Sequence, residues 1–234
     1  MRSVALVATA MITSVTQPAS AQRSSTEWRT KPAESRFRPV AANDASRELH
    51  NFARCVANGR YDRARALVLA PYASSEQASV AKKIVVSSDD PCMTASYSEV
   101  RMRLNGQLLA GALSQALVLN DYPDLPTVIG SYTPVPPEEN TRVAQLNSAE
   151  VFGRCVVRRD PAHVLALFSA SPGTPAEDEA MRGLGDDLSP CLAVGSTLRV
   201  NRLFLRGVTG VAAYRLAQQV QPRERGRVTV AGAR

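Results

Sequence analysis

Phe52-Ala-Arg-Cys55-Val56 recurs as Phe152-Gly-Arg-Cys155-Val156, an offset of 100 residues. At the same offset Ala66-Leu67 matches Ala166-Leu167, and Ala70 matches Ala170. After a one-residue deletion Pro91-Cys92 matches Pro190-Cys191, and Arg103-Leu104 matches Arg202-Leu203. Gly111 then matches Gly210, and Leu117 matches Leu216. One ordered signature written twice constrains the 234-residue chain to fold as two copies of a single unit. The copies span 44–120 and 147–219.

Each copy reads as helical. Asn147 to Glu150 and Thr174 to Glu177 have the spacing of capping boxes, and Pro175 falls at a first helical position. Ser74 and Gln77 stand at the equivalent place in the first copy. Leu49, Phe52, Ala53 and Val56 are spaced as the core-facing stripe of a helix, as are Phe152, Cys155 and Val156. A second helix starts at Asp160-Pro161, with its counterpart over 61–70, and 107–119 predicts an amphipathic helix. Aromatics are only 5% of the chain while Ala, Leu and Val are abundant, which suits helices packed through small aliphatic side chains. The expected fold is mainly α: two tandem, disulfide-stapled helical repeats. Val100, Met102 and Leu104, and Leu198 with Val200, leave room for short extended pieces. Gly111 and Gly210, inside helical stretches at equivalent places, predict close helix–helix approach, since Gly there costs about 1 kcal/mol relative to Ala. The segment 121–146, with Pro123, Pro126, Pro134, Pro136 and Pro137, reads as a linker or surface strap. The flank 22–43 and the basic tail 220–234 read as poorly ordered.

The leader and the cysteines agree on a compartment. Met1-Arg2, the uncharged apolar run Val4–Val15 and Ala19-Ser20-Ala21 form the three regions of a secretory signal peptide over 1–21. Cleavage at Ala21-Gln22 would deliver the chain to the periplasm or medium. Four Cys in an oxidising compartment are expected as two disulfides. Four Cys permit three pairings, and the duplication favours one bridge per copy, Cys55–Cys92 and Cys155–Cys191. A bridge closing a loop of about 38 residues removes roughly 4 kcal/mol of unfolded-chain entropy, which matters in so small a unit. Beyond the N-terminus no stretch approaches the roughly 18 apolar residues of a membrane span.

The chain carries 28 basic and 21 acidic residues, a net charge of +7. Lys occurs only at 31, 82 and 83, and the basic residues are scattered, densest at Arg36–Arg38, Arg60–Arg65 and Arg223–Arg227. Such a distribution describes a basic soluble surface, and no nucleic-acid partner is expected.

Catalytic motifs are missing from the pattern. There is no Cys-x-x-Cys, so neither a redox pair nor a zinc knuckle is indicated. His50 and His163 lack a second His at helical spacing and read as surface or helix-end residues. No G-x-S-x-G, G-x-G-x-x-G or P-loop occurs. Ser79-Val-Ala-Lys82 matches S-x-x-K, yet no K-T-G follows and Ser88-Asp89-Asp90 is only a partial S-D-N. Carboxylates gather at Glu177–Glu179, Asp186–Asp187 and Asp89–Asp90, but the single Trp28 lies outside both copies and supplies no aromatic sugar cleft. No cofactor and no metal is expected.

Gly59-Arg-Tyr-Asp62-Arg-Ala64 resembles the helix–turn–helix core of tetratricopeptide-type repeats; the period of 100 residues and the internal Cys depart from that pattern, so nothing is carried over. Across both copies the Phe-x-x-Cys-Val, Pro-Cys, Arg-Leu and Gly series resembles exported proteins of Gram-negative bacteria with two Cys-containing helical repeats. That resemblance implies a periplasmic location and no particular activity. The only charged identities between the copies are Arg54/Arg154 and Arg103/Arg202. Arg103 and Arg202 are candidate anion-binding residues, whether for a carboxylate of the protein itself or for an anionic envelope component. The expected function is a non-catalytic envelope protein with a structural or binding role, whose partner is an anionic envelope component or another periplasmic protein. The alternative is an exported hydrolase acting on the envelope.

Overall fold

Side-chain caps set five of the helix starts. The computed structural model describes residues 41–71, 74–84, 91–92, 106–133, 146–192 and 200–223, which all belong to one compact unit, Arg36–Arg234. The first four helices are α1 (Ala42–Gly59), α2 (Tyr61–Leu69), α3 (Ser75–Ile84) and α4 (Gly106–Asp121). A short α5 (Leu125–Gly130) precedes α6 (Ser148–Arg159), α7 (Pro161–Ser169), α8 (Pro175–Gly183) and α9 (Gly185–Leu188). A 3-10 turn, Ser189–Cys191, leads to α10 (Arg202–Val220). Among the described residues there is no strand. The order α1–α2–α3–α4 returns as α6–α7–α8–α10, with α2 and α7 starting at 61 and 161, and α3 and α8 at 75 and 175.

Asn147 and Glu150 form a reciprocal capping box at α6, and Ser74 Oγ accepts from the Gln77 N–H 3.0 Å away at α3. Asp160 caps α7, and Asn201 caps α10 by accepting from the Phe204 N–H at 2.8 Å. The Thr174 box is only half made: Thr174 Oγ1 accepts from the Glu177 N–H, but the Glu177 carboxylate takes the Gly173 N–H instead. That carboxylate is held by two arginines of α10, which outcompete the cap.

Both disulfides pair within a copy, Cys55–Cys92 and Cys155–Cys191, each with Cα atoms 5.5 Å apart. The copies share one core, and its centre is the crossing of α4 and α10. All ten residues from Leu109 to Val118 are buried, so α4 is a central helix and not the one-sided amphipathic helix expected over 107–119. Three glycines permit the approach. A Cβ on Gly111 would lie 2.6 Å from the Gly207 Cα, and one on Gly210 would meet Ser114 Oγ at 2.5 Å and the Gly111 carbonyl oxygen at 3.1 Å. Gly153 brings α6 equally close, a Cβ there falling 2.6 Å from the Val208 carbonyl oxygen.

The proline-rich segment differs from expectation. Leu125–Gly130 is helical and buries Leu125, Val128 and Ile129, so part of 121–146 belongs to the core. Pro126 occupies the first turn, where a missing N–H breaks no helical bond. Pro134, Pro136 and Pro137 lie outside the described residues, as do the 1–21 leader and the extended pieces expected at Val100–Leu104 and Leu198. Val200 immediately precedes the α10 cap. Helix ends overrun the expected boundaries slightly: α1 starts at Ala42 inside the 22–43 flank, and α10 ends at Val220.

Candidate functional site

α10 is buried along most of its length, yet within the buried stretch it carries Arg206 and, at its edge, Arg215. Nine residues at about 100° each make two and a half turns, so the two guanidinium groups leave opposite faces of the helix. Each reaches a helix C-terminus whose last carbonyls have no intrahelical donor. Arg206 donates to the Ala170 carbonyl at 3.1 Å, after α7. Arg215 donates to the carbonyls of Val68, at 2.8 Å, and Ala70, after α2. Ala70 and Ala170 are one of the matched pairs in the sequence.

The two junctions also take a carboxylate each, from different helices. Arg206 donates to Glu177 Oε1 on α8 at 3.0 Å and to Gln115 Oε1 on α4 at 2.9 Å. Arg206 and Glu177 are only 3% and 2% exposed, so this ion pair is fully interior. Gln115 is fixed in turn by donating to the Gly111 carbonyl at 2.9 Å, at the helix crossing. In the other junction Arg215 pairs with Glu150 in the first turn of α6. The residue 100 positions before Glu150 is His50, and the residue 100 before Glu177 is Gln77.

His50 corrects the surface assignment made for it. It is buried, on the α1 face shared by Ala53 and Ala57. Burial, then the positive charges of Arg206 and Arg54, push its imidazole down to about 4 against the opposing pull of Glu177. It is therefore neutral at pH 7. Burial also lowers Arg206, and Glu177 opposes the effect.

A third polar group lies where α2, α4 and α10 meet. Asp121 Oδ2 accepts from the Tyr61 hydroxyl at 2.8 Å and the Tyr214 hydroxyl at 3.1 Å. Gln218 donates to the Tyr214 hydroxyl and accepts from Arg65, whose buried Nε has no partner. Tyr122 packs edge-on against Tyr214, with ring centroids 5.9 Å apart, and donates to the Gln221 carbonyl at 2.8 Å. Arg223, at the start of the expected basic tail, lies 4.8 Å over the Tyr122 ring and donates to the Asp121 carbonyl and to Asp124. Burial raises Asp121 despite its two phenol donors, and burial likewise raises Tyr61, Tyr122 and Tyr214. A raised phenol is a weaker acid, the opposite of an activated nucleophile. The arrangement joins helix ends.

The candidates singled out by sequence are dispersed. All four Cys are consumed by the disulfides. Arg202 donates to Glu177 at 3.3 Å and pairs with Asp178 at 2.5 Å, and those hydrogen bonds raise its pKa. Its guanidinium thus already engages two carboxylates of the protein, while Arg103 lies outside the described residues. Arg54 is exposed, whereas Arg154 is buried and donates to Gln219 and to the Tyr132 hydroxyl, both at 3.3 Å. His163 sits half-exposed in the first turn of α7, its Nδ1 2.5 Å from Asp160 Oδ2. Ser79 and Lys82 are both exposed on α3. Asp187 pairs with Arg159 at 2.8 Å, and Asp89–Asp90 fall outside the described residues. Among the described residues no group of three or more His, Cys, Asp or Glu side chains could hold a metal ion, and no helix is long and apolar enough to cross a membrane.

Sequence reasoning missed Arg206, Arg215 and the Tyr61–Asp121–Tyr214 group. Arg206 and Arg215 within the long apolar stretch of α10 were the available signal, because a charged residue on a buried helix needs a partner. No family model, curated protein or solved structure matches the chain.

Proposed function

We propose that the protein is a non-catalytic component of the Gram-negative cell envelope, exported by its 1–21 leader and built by duplication of one disulfide-stapled helical unit. The observation that carries this reading is where the polar side chains are spent. Arg206–Glu177 in the interior, and the part-buried Arg215–Glu150 and Tyr61–Asp121–Tyr214 groups, each tie other helices to α10. The charged residue in register with Arg103, Arg202, is likewise engaged by carboxylates of the chain. Two intact bridges suit an oxidising compartment. The role is to present a stable surface to a partner, either an anionic envelope component or another periplasmic protein.

The test is retention on envelope material: sedimentation with liposomes and with peptidoglycan at two salt concentrations, for wild type and for Arg103→Ala combined with Arg202→Ala. Salt-sensitive retention that an equally stable double variant loses supports an anionic partner. Retention on neither material, with no turnover of any substrate below, supports a protein partner, to be identified by cross-linking in the periplasm. Turnover in an ester, amide or glycoside panel, with no retention on any envelope fraction, overturns the proposal in favour of an envelope hydrolase. Export is checked separately by the N-terminus of the periplasmic protein, expected at Gln22.

A further inference from the structure

The two disulfides are matched by the duplication but differ in their surroundings. Cys55 is exposed on α1, while its partner Cys92 is 5% exposed and belongs to the core. In the second bridge Cys155 and Cys191 are both half-buried. The flanking positions differ in the same sense. One turn from Cys55 along α1 stand Asn51, Asn58 and Gly59, all exposed. Gly59 has no side chain, and a Cβ there would meet nothing within 4 Å. The residues in register on α6 are Val151, Arg158 and Arg159. Arg159, one turn after Cys155, pairs at 2.8 Å with Asp187, which shortly precedes Cys191. That ion pair spans the same two segments as the bridge, and α6 also packs on α9 and on the 3-10 turn that holds Cys191. Leu188, Cys191 and Leu192 lie against the core. One bridge thus offers a sulfur to solvent, and the other has a second clasp beside it.

We infer that Cys55 Sγ is a thiol-exchange site, the atom at which an external thiol enters the fold, the natural co-reactant being a dithiol protein. A thiolate attacks one sulfur of a disulfide and expels the other. Attack at Cys55 forms a bond between the incoming sulfur and Cys55 Sγ and breaks the Cys55–Cys92 bond. The electron pair of that bond leaves on Cys92 Sγ, which takes a proton. The product is a mixed disulfide on α1 with Cys92 as a buried thiol. With a dithiol, its second thiolate attacks its own sulfur in the mixed disulfide and expels Cys55 as a thiol. The dithiol is then oxidised to a disulfide, and two electrons have passed to Cys55 and Cys92. The reverse sequence installs the bridge.

Access decides which sulfur is attacked. Entry at Cys92 would require the core around it to open. Entry at the second bridge meets a half-buried sulfur at either end, and the Arg159–Asp187 clasp keeps the two segments together for re-closure. The dithiol protein as co-reactant rests on the export proposed above; exchange at Cys55 is a property of the folded chain and is tested without it.

The experiment incubates the full oxidised wild type with glutathione at pH 8, quenches with acid at intervals, unfolds and alkylates, and reads the Cys peptides by mass spectrometry. The expected product carries glutathione on Cys55 and the alkyl group on Cys92, in about tenfold excess over the converse product. Opening of Cys155–Cys191 should be slower by about tenfold. Glutathione chiefly on Cys92, or equally fast opening of both bridges, overturns the inference. Arg159→Gly places the first copy's glycine in α6 and removes the clasp, at a helix end where Gly is tolerated. It should speed opening of Cys155–Cys191 several-fold and leave Cys55–Cys92 unchanged; an unaltered rate at the second bridge refutes the shielding. A periplasmic N-terminus that is not found would remove the dithiol protein and leave exchange at Cys55 standing.

Discussion

Gly111 and Gly207 face each other across the α4–α10 crossing, yet substituting them should have opposite effects. A Cβ on Gly111 would come within 2.6 Å of the Gly207 Cα and 3.4 Å of its carbonyl carbon and oxygen. Those are backbone atoms of a buried helix, so no rotamer change relieves the clash, and the helices must part by about 1 Å to restore ordinary contact. Overpacking of this kind costs up to about 3 kcal/mol, and the better helix propensity of Ala returns about 1 kcal/mol. Gly111→Ala should therefore destabilise by about 2 kcal/mol, lowering Tm by roughly 4–8 °C in a chain of this size. A Cβ on Gly207 points past the crossing, its nearest neighbour the Gly111 Cα at 3.9 Å. Gly207→Ala should be neutral or stabilising by up to about 1 kcal/mol. Urea denaturation of the oxidised proteins, with a common slope, measures both. Gly111→Ala as stable as wild type, or Gly207→Ala as damaging as Gly111→Ala, would show that the glycines do not set the helix approach.

Replacing Cys55 and Cys92 together by Ser should cost about 4 kcal/mol, since the bridge spans a sequence separation of 37, and calorimetry on the purified variant measures it. Arg206→Met should cost about 3 kcal/mol by leaving the buried Glu177 carboxylate with the half-exposed Arg202 and the Gly173 N–H, while Arg206→Met with Glu177→Leu should recover most of that; a single-variant loss below about 1 kcal/mol would remove Arg206 from the interior network. Asp121 has a folded-state pKa above 3.8, so its protonation favours the folded chain as pH falls through that raised value. Asp121→Asn removes this gain and should make stability fall more steeply on acidification in the window above pH 3.8, read by urea denaturation at pH 4, 5 and 7.

Features governed by local rules were legible in the sequence. Capping residues at 74, 147, 160 and 174 act within four residues of themselves, so their helix starts follow from spacing alone. The disulfide pairing was legible to the extent that each copy carries its own Cys and Pro-Cys, which favours one bridge per copy among the three possible pairings, as the structure shows. Gly111 and Gly210 were legible because nothing but close approach explains a glycine held at two matched places inside helices. α5 was not, because proline count was read without regard to position, and Pro126 sits in a first turn. His50 was read by residue type; its spacing from Ala53 and Ala57 places it on the buried face.

The polar network was hidden for a different reason. Arg206 meets Gln115 across 91 residues, Arg215 meets Glu150 across 65, and Tyr214 meets Asp121 across 93. No local pattern relates such pairs, and the duplication conceals them further because matched positions carry different chemistry: His50 against Glu150, Gln77 against Glu177. That difference has a physical use. The glycines of the α4–α10 crossing govern how near the two helices come, and they make no directional polar bond between helices through a side chain. Arg206 and Arg215 leave opposite faces of α10 and end on carbonyls and carboxylates fixed in the two copies. A one-residue shift of α10 would rotate both guanidinium groups by about 100° and strand two carboxylates in or near the core. The glycines set how near the helices come, and the arginines set which register they keep.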